Sequence, residues 1–153
     1  LAQLNNSPEA CGLANLRNTK EIAVRGPITS DHIIRTKPTP VCLDPDNPEQ
    51  SIEEFAFGYE AYFERHTNGK QTIMDRAPRW AVWPQQGTIA FGRSLNEAGI
   101  VADIAEHTVK AIQQGESMGG WNPVSENHLF EAEYWELQQA KLELDQKLRE
   151  RER

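Results

Sequence analysis

The sequence has little of what several classes of protein require. Its 153 residues include two cysteines, Cys11 and Cys42, which are too few for a disulfide scaffold and form no C-x-x-C pair for zinc or redox chemistry. No apolar run approaches the roughly 20 residues of a transmembrane helix. The first residues lack the basic start and apolar core of a signal peptide. We therefore predict a soluble, cytoplasmic protein with no membrane partner.

Basic residues are also scarce. Lysine and arginine number 16 against 23 aspartates and glutamates, a formal charge of −7. Since nucleic-acid binders need a net basic face, no nucleic-acid partner is predicted. The remaining composition, 38% hydrophobic and 25% charged, is typical of one globular domain with its own core. The missing initiator methionine and the charged last residues suggest a segment of a longer protein.

Catalytic and metal-binding motifs are not found. The four histidines lie too far apart in sequence for an H-x-H pair or an H-E-x-x-H helix, and no metal site is predicted. A phosphate-binding loop, a dinucleotide-binding glycine pattern and a G-x-S-x-G nucleophile motif are equally missing. Structural roles are favoured for His66, His107 and His128. From motifs alone, no enzyme can be identified.

The pattern of apolar residues predicts a mixture of helices and short strands. A helix is predicted over residues 48–66, where Asn47 and Gln50 form a capping box. A second helix begins at Ser94, with Glu97 completing its capping box, and ends at the glycines of residues 118–120. The other predicted elements are a short helix over 8–16, extended or looped chain over 28–40, strands over 41–43, 79–84 and 88–92, and a helix from about 125 whose Phe130, Tyr134, Leu137, Leu144 and Leu148 share one side.

One short run concentrates chemical groups and is the candidate site. Residues 29–37 contain Asp31, His32, Arg35 and Lys37. The functional interpretation makes Asp31 and His32 catalytic, with Arg35 and Lys37 binding an anionic substrate group. In an extended segment Arg35 and Lys37 would share one face, with Thr36 on the other. The structural interpretation is a loop held by hydrogen bonds of Asp and Thr, and spacing alone favours it.

Three stretches together resemble the bifunctional fusions of a class II aldolase with a short-chain dehydrogenase. Residues 26–37, G-P-I-T-S-D-H-I-I-R-T-K, are similar to that family's G-P-x-T-P-D-H-x-I-R-T-K segment. Residues 77–93 resemble its hairpin, and residues 102–108, A-D-I-A-E-H-T, resemble the helix that follows. Residues 129–142 resemble its L-F-D-x-E-Y-W-x-L-E-Q-A-K-L stretch. The resemblance covers most of the chain from Arg25 to Leu142.

The resemblance implies a fold and a function. The fold would be α/β, a class II aldolase-like layered α/β/α segment with a short sheet covered by helices and a protruding C-terminal helix. Residues 1–142 would form the aldolase-like segment, and residues 143–153 a charged helical linker toward a dehydrogenase. The parent would cleave sugar phosphates with a divalent metal such as zinc and oxidise with NAD(P), acting as lyase and oxidoreductase in carbohydrate metabolism. Its partners would be the flanking domains and a possible homo-oligomer.

The sequence departs from the resembling family in two places. Ser30 replaces the proline usually found before the Asp-His pair. Gln85-Gln86-Gly87 stands where single-domain class II aldolases have a zinc-binding His-His-Gly, and a glutamine amide is a poor zinc ligand. We therefore expect no complete active site and no zinc in this segment. The alternative function is a non-catalytic scaffold or oligomerisation module.

Overall fold

The computed structural model describes residues 1–151, with side chains described through residue 148. This part of the chain forms a four-stranded sheet with helices on both sides. The strands are β1 (Ala2–Asn5), β2 (Val41–Cys42), β3 (Trp80–Trp83) and β4 (Gly87–Phe91). The helices are α1 (Pro8–Ala14), α2 (Thr19–Ile22), α3 (Ile33–Thr36), α4 (Pro48–His66), α5 (Leu95–Ser117), α6 (Glu126–Glu133) and α7 (Glu136–Arg151). This mixed α/β architecture is the predicted fold class.

The sheet combines antiparallel and parallel pairing in the order β1-β4-β3-β2. β4 is antiparallel to both β1 and β3, while β2 is parallel to β3. A parallel pair needs a long crossover, and α4 supplies it between β2 and β3. The β3–β4 hairpin and the short β2 strand confirm the sequence prediction. β1 was not predicted.

The main core lies between one face of the sheet and helices α1, α2 and α5. Trp80, Val82 and Ala90 project from the strands onto this side. The apolar stripe of α5 packs against them, with Val109 and Ile112 fully buried. Burying a side chain of this size contributes about 1.5–3 kcal/mol of transfer free energy, so the long α5 stripe is a main source of the domain's stability.

The predicted capping boxes have different outcomes. At the start of α5, Ser94 Oγ accepts a hydrogen bond from Glu97 N at 3.2 Å, as predicted. At the start of α4 the boundary is correct, but the capping prediction for Asn47 is wrong. Its side chain makes no hydrogen bond to the helix backbone and instead donates to Gln50 Oε1 at 2.8 Å. Pro48 at the first helical position already removes one of the backbone donors that a cap would satisfy.

Gly87 is required where the β3–β4 hairpin meets β1. Its φ is +116°, a value that side-chain-bearing residues rarely adopt. A Cβ here would also collide with the backbone carbonyl of Asn5 on the neighbouring strand. The turn therefore packs against β1 only because this position has no side chain.

Two sequence predictions about local structure are wrong. Residues 30–36, expected to be extended or looped, form a 3-10 turn (Ser30–His32) that continues into the single turn of α3. The helix predicted from about 125 is two helices, because the chain leaves helical geometry at Tyr134 before α7 begins. The break changes the helical phase, so Phe130 and Tyr134 are buried while Leu137, Leu144 and Leu148 are exposed.

Within residues 1–151, we find no helix with the length and apolar character needed to cross a membrane. α7 is the most polar of the long helices, and beyond Leu142 its leucines are about half exposed or more. Leu142 itself packs against the Ile33–Ile34–Leu129 cluster. The first part of α7 is therefore docked, and the later part extends along the surface.

Candidate functional site

Asp31 and His32, the first two of the four candidate residues, lie in the turn that contacts the start of α7. Asp31 Oδ1 accepts a hydrogen bond from Gln138 Nε2 at 3.1 Å. The neighbouring His32 is partly buried, and its Nδ1 is buried without a hydrogen-bond partner. Asp31 is therefore used to hold Gln138. The buried His32 Nδ1 therefore donates no hydrogen bond to the Asp31 carboxylate.

Arg35 points toward α7 and forms an ion pair. Its Nη2 lies 2.5 Å from Asp145 Oδ2, and both side chains are about a quarter to a third exposed. This contact joins α3 to the middle of α7. The prediction that Arg35 and Lys37 share one face of an extended segment is wrong, because the helical turn sends them to different surroundings.

Lys37 is buried, with only 1% of its surface exposed. Its Nζ donates to the Asp75 carbonyl oxygen and lies 3.3 Å from the centre of the Tyr59 ring. Its backbone has φ +61° and ψ 177°, a region that non-glycine residues occupy only when the surroundings hold them there. The intervening Thr36 is buried too, and its hydroxyl bonds to the backbone of His32 and Lys37. Strain and burial mark Lys37 as the most constrained residue of the run.

The Lys37 amine belongs to a group of polar side chains in the interior, which we call the buried cluster: Lys37, Tyr59, Glu133 and Tyr134. The Tyr59 hydroxyl donates to Glu133 Oε1 at 2.9 Å and lies 2.7 Å from the Tyr134 hydroxyl. The Tyr134 hydroxyl in turn accepts from Met74 N at 3.3 Å. Four elements meet here, since α4, α6, the end of α3 and the segment before β3 each contribute a group.

Burial changes the acid–base properties of this cluster. It raises the pKa of the Glu133 carboxyl and lowers the pKa of the Lys37 amine, because each charged form loses its hydration. Burial, followed by the nearby Glu133, also raises the pKa of Tyr59. Glu133 Oε2 and the Tyr62 hydroxyl are buried without hydrogen-bond partners. The pKa values of the acid and the amine in this cluster therefore lie closer together than they would in water.

A second polar group lies at the start of β3 and connects to the buried cluster through Asp75. The Arg79 guanidinium forms two hydrogen bonds to the Asp75 carboxylate, at 2.8 and 2.6 Å. The hydrogen bond from Arg79 lowers the pKa of Asp75 to about 2. Arg93 lies 3.7 Å from the same carboxylate and is 69% exposed. Asp75 therefore contacts Lys37 through its backbone carbonyl and two arginines through its side chain.

These arginines and Arg35 line one cavity of about 480 Å³, which we call the α7 groove. Its walls come from α3, the segment before β3, the start of α5 and α7. Its lining combines these three arginines with four acidic residues, Asp75, Glu97, Glu143 and Asp145. Such a mixed lining offers both donors and acceptors to a polar ligand. Of the four candidate residues in the run, Arg35 alone lines this cavity.

A comparison with known proteins decides the family. Residues 1–142 match the family described as "Aldolase class II, second domain". The chain belongs to this family. It is also similar to the uncharacterized oxidoreductase YuxG of Bacillus subtilis (strain 168), with 27% identity over 131 residues. That match covers 78% of this chain but 19% of the relative, so the chain spans about a fifth of the relative's length.

The described side chains of this class II aldolase domain do not fit a divalent metal. Among residues 1–148, no group of three or more His, Cys, Asp or Glu side chains lies close enough together to hold a metal ion. Gln86, in the hairpin turn, offers its backbone carbonyl oxygen to the Cys11 thiol at 3.7 Å. The expected lack of zinc in this domain stays a prediction to be tested on the protein.

The sequence did not reveal most of the residues that surround the candidate run. Tyr134 was assigned to an apolar helix side, Tyr59 lies within the predicted helix over 48–66, and nothing in the sequence links either of them to Lys37. Glu133 follows Phe130 by three positions, a spacing that places it on the apolar stripe. An acid on an apolar stripe is the one signal that would have indicated burial. Asp75, Arg79 and Arg93 carry no pattern of this kind.

Proposed function

We propose that this domain is the internal aldolase-like segment of a bifunctional sugar-phosphate aldolase and NAD(P)-dependent short-chain dehydrogenase. The match to the second domain of class II aldolases supports the first activity. The similarity to a far longer protein named as an oxidoreductase supports the second, and it is the observation that carries the proposal. The parent acts in carbohydrate metabolism, as a lyase and an oxidoreductase.

In this proposal the domain contributes a wall of the substrate site rather than a complete active site. Arg35 binds an anionic substrate group from the α7 groove, where Arg79 and Arg93 stand nearby. Asp31 and His32 lie at the adjoining end of α7, and the unpartnered His32 Nδ1 is the atom that would accept or donate a proton there. Lys37 has a positioning role and does not contact the substrate. Its contacts with Asp75 and Tyr59 hold in place the segment before β3, where Asp75 binds Arg79.

The metal and the nicotinamide cofactor belong to other parts of the parent. A divalent metal such as zinc would supply Lewis-acid chemistry for carbon–carbon cleavage, and NAD(P) would accept hydride in the oxidation. The described residues of this domain do not form the ligand set for the metal. The flanking aldolase and dehydrogenase domains are therefore its proposed partners.

The experiment uses the full-length parent and compares two arginine substitutions. Arg35→Ala should raise the KM for a sugar phosphate about tenfold or more while the protein stays folded, because a charge-assisted contact to the anion is lost. Arg76→Ala is the matched control, since Arg76 also pairs with an acid, Glu60 at 2.8 Å, but does not line the groove. Equal effects of both substitutions, or no aldol cleavage by the unmodified parent, would refute the proposal.

A scaffold or oligomerisation role is the second candidate, and one observation favours it. Three of the four candidate side chains are used internally: Asp31 holds Gln138, Arg35 holds Asp145, and Lys37 is buried. If the run is a clamp, Arg35→Ala lowers the melting temperature and leaves the KM unchanged. The two functions are thus separated by the same variant.

A further inference from the structure

The face of the sheet opposite α5 contains only apolar residues and glycine. Paired residues across neighbouring strands point to the same side. On this side the paired Ala81 and Ile89 belong to a separate apolar cluster that includes Val41, Leu43 and Phe55. The strand residues on this face are Ala2, Leu4, Val41, Ala81, Trp83, Gly87, Ile89 and Phe91. A sheet face exposed to water would normally carry polar residues at these positions. The composition is that of a face covered by another layer.

The cover on this face is incomplete. α4 packs over the β2 side through Phe55, and Val41 and Ala81 are buried there. Toward β1 the exposure rises: Ile89 and Phe91 are half-buried, and Leu4 is 52% exposed. Trp83, at the far end of β3, is 38% exposed. One half of the face is therefore a core and the other half is open.

The open half is also concave. A cavity of about 370 Å³ lies between the start of α4 and the end of β4. Its walls include the apolar Leu1, Ile52, Pro78 and Phe91 together with four charged residues, Asp75, Arg79, Arg93 and Glu97. Leu1 and Ile52 are exposed at its rim. The apolar strand face beside it, exposed at Leu4 and Trp83 and rimmed by these charged groups, is the kind of surface that marks a contact with another protein segment.

We infer that the open half of this face, from Leu4 to Trp83, is covered by an apolar layer from the rest of the parent polypeptide. The inference rests on the proposed function, in which this domain is one segment of a longer protein. The chain spans about a fifth of the curated relative's length, so a protein of that size has ample chain to form the layer. The covering surface is apolar, because no strand residue on the face offers a polar side chain to it.

Oxidative footprinting of tryptophan tests the inference without altering the protein. In the 153-residue chain alone, Trp83 and Trp135 should both be oxidised by hydroxyl radicals, since 38% and 55% of their surfaces are exposed. In the full-length parent, the rate at Trp83 relative to Trp135 should fall at least fivefold. An unchanged ratio would overturn the inference.

A pair of substitutions identifies the occupant. Leu4→Lys should lower the melting temperature of the parent by about 5 °C or more, because an unpaired charge is buried, and should change the isolated chain by about 1 °C or less. Leu16→Lys is the control, since Leu16 is 41% exposed away from this face. If the chain alone forms a dimer that protects Trp83 and that Leu4→Lys dissociates, a second copy is the occupant and the inference is wrong.

The outcome for the inference is separate from that for the proposed function. A parent that protects Trp83 but lacks aldolase and dehydrogenase activity refutes the function and keeps the covering layer. A parent with both activities and a freely oxidised Trp83 does the reverse.

Discussion

The buried cluster and the α7 groove use the same kinds of side chain in opposite surroundings. Lys37 and Glu133 are 1% and 0% exposed, whereas Arg35 and Asp145 are a quarter to a third exposed and form their pair beside a cavity. In the interior, each charge depends on its protein partners because water is absent. In the groove, water can replace a lost partner. Similar chemistry thus holds elements together in one region and, in the proposed function, binds an anionic ligand in the other.

Glu133 should show the largest difference between the two regions. Glu133→Ala should lower the free energy of unfolding by roughly 3–5 kcal/mol, because it removes the buried carboxylate that accepts from the Tyr59 hydroxyl and opens a cavity. Glu133→Gln keeps an acceptor and should cost about half as much or less. Urea denaturation measures both. Glu131→Ala, an exposed neighbour on the same helix, is the control and should stay within about 0.5 kcal/mol.

At residue 37 glycine should be more stabilising than alanine, which is the opposite of the order found inside a helix. Both Lys37→Ala and Lys37→Gly break the buried cluster, but glycine accepts the φ of +61° without strain. Lys37→Gly should therefore be more stable than Lys37→Ala by about 1–2 kcal/mol. At Lys141, inside helix α7, the order should invert, with alanine better by about 1 kcal/mol. Finding the same order at both sites would contradict the assigned backbone strain.

Low pH should reduce the stability that the Asp75–Arg79 pair contributes beside the α7 groove. The hydrogen bond from Arg79 lowers the pKa of this carboxyl from 3.8 to about 2. A lowered folded-state pKa contributes stability above pH 4 that is lost as the pH falls from about 4 to 2. In Arg79→Gln this contribution should largely disappear, so the difference in unfolding free energy between the two proteins should shrink over that pH window. A difference that stays constant between pH 5 and pH 2 would refute the coupling.

Arg35 should have the smallest effect on stability. Its pair with Asp145 is partly exposed, so Arg35→Ala should lower the free energy of unfolding by about 1 kcal/mol or less. Amide exchange should accelerate mainly in α7, which the pair joins to α3. A loss comparable to that of Glu133→Ala would show that the groove is as dependent on its pairs as the interior.

Much of the fold could be predicted because the spacing of apolar residues and the residues at helix starts and turns specify its main helices and strands locally. The α4 and α5 helices follow from apolar spacing and from proline or serine at their starts, and the β3–β4 hairpin follows from β-branched and aromatic residues around a glycine turn. β1 escaped prediction because A-Q-L-N alternates over only four residues, and its place depends on pairing with β4. The end of α6 at Tyr134 was missed for a related reason, since the apolar spacing continues across the break.

For the candidate site too, the sequence specified which groups are present and the tertiary structure specified what they contact. The sequence by itself determined that residues 29–37 concentrate acid, imidazole and cationic groups, and that the chain is an acidic α/β domain resembling class II aldolase fusions. The tertiary structure alone decided what these groups contact: Arg35 meets Asp145, Lys37 meets Tyr59, and Tyr59 meets Glu133. These partners lie 22 to 110 residues apart in sequence. Local pattern specifies helices and strands, but contacts at such separations form only when packing brings the elements together.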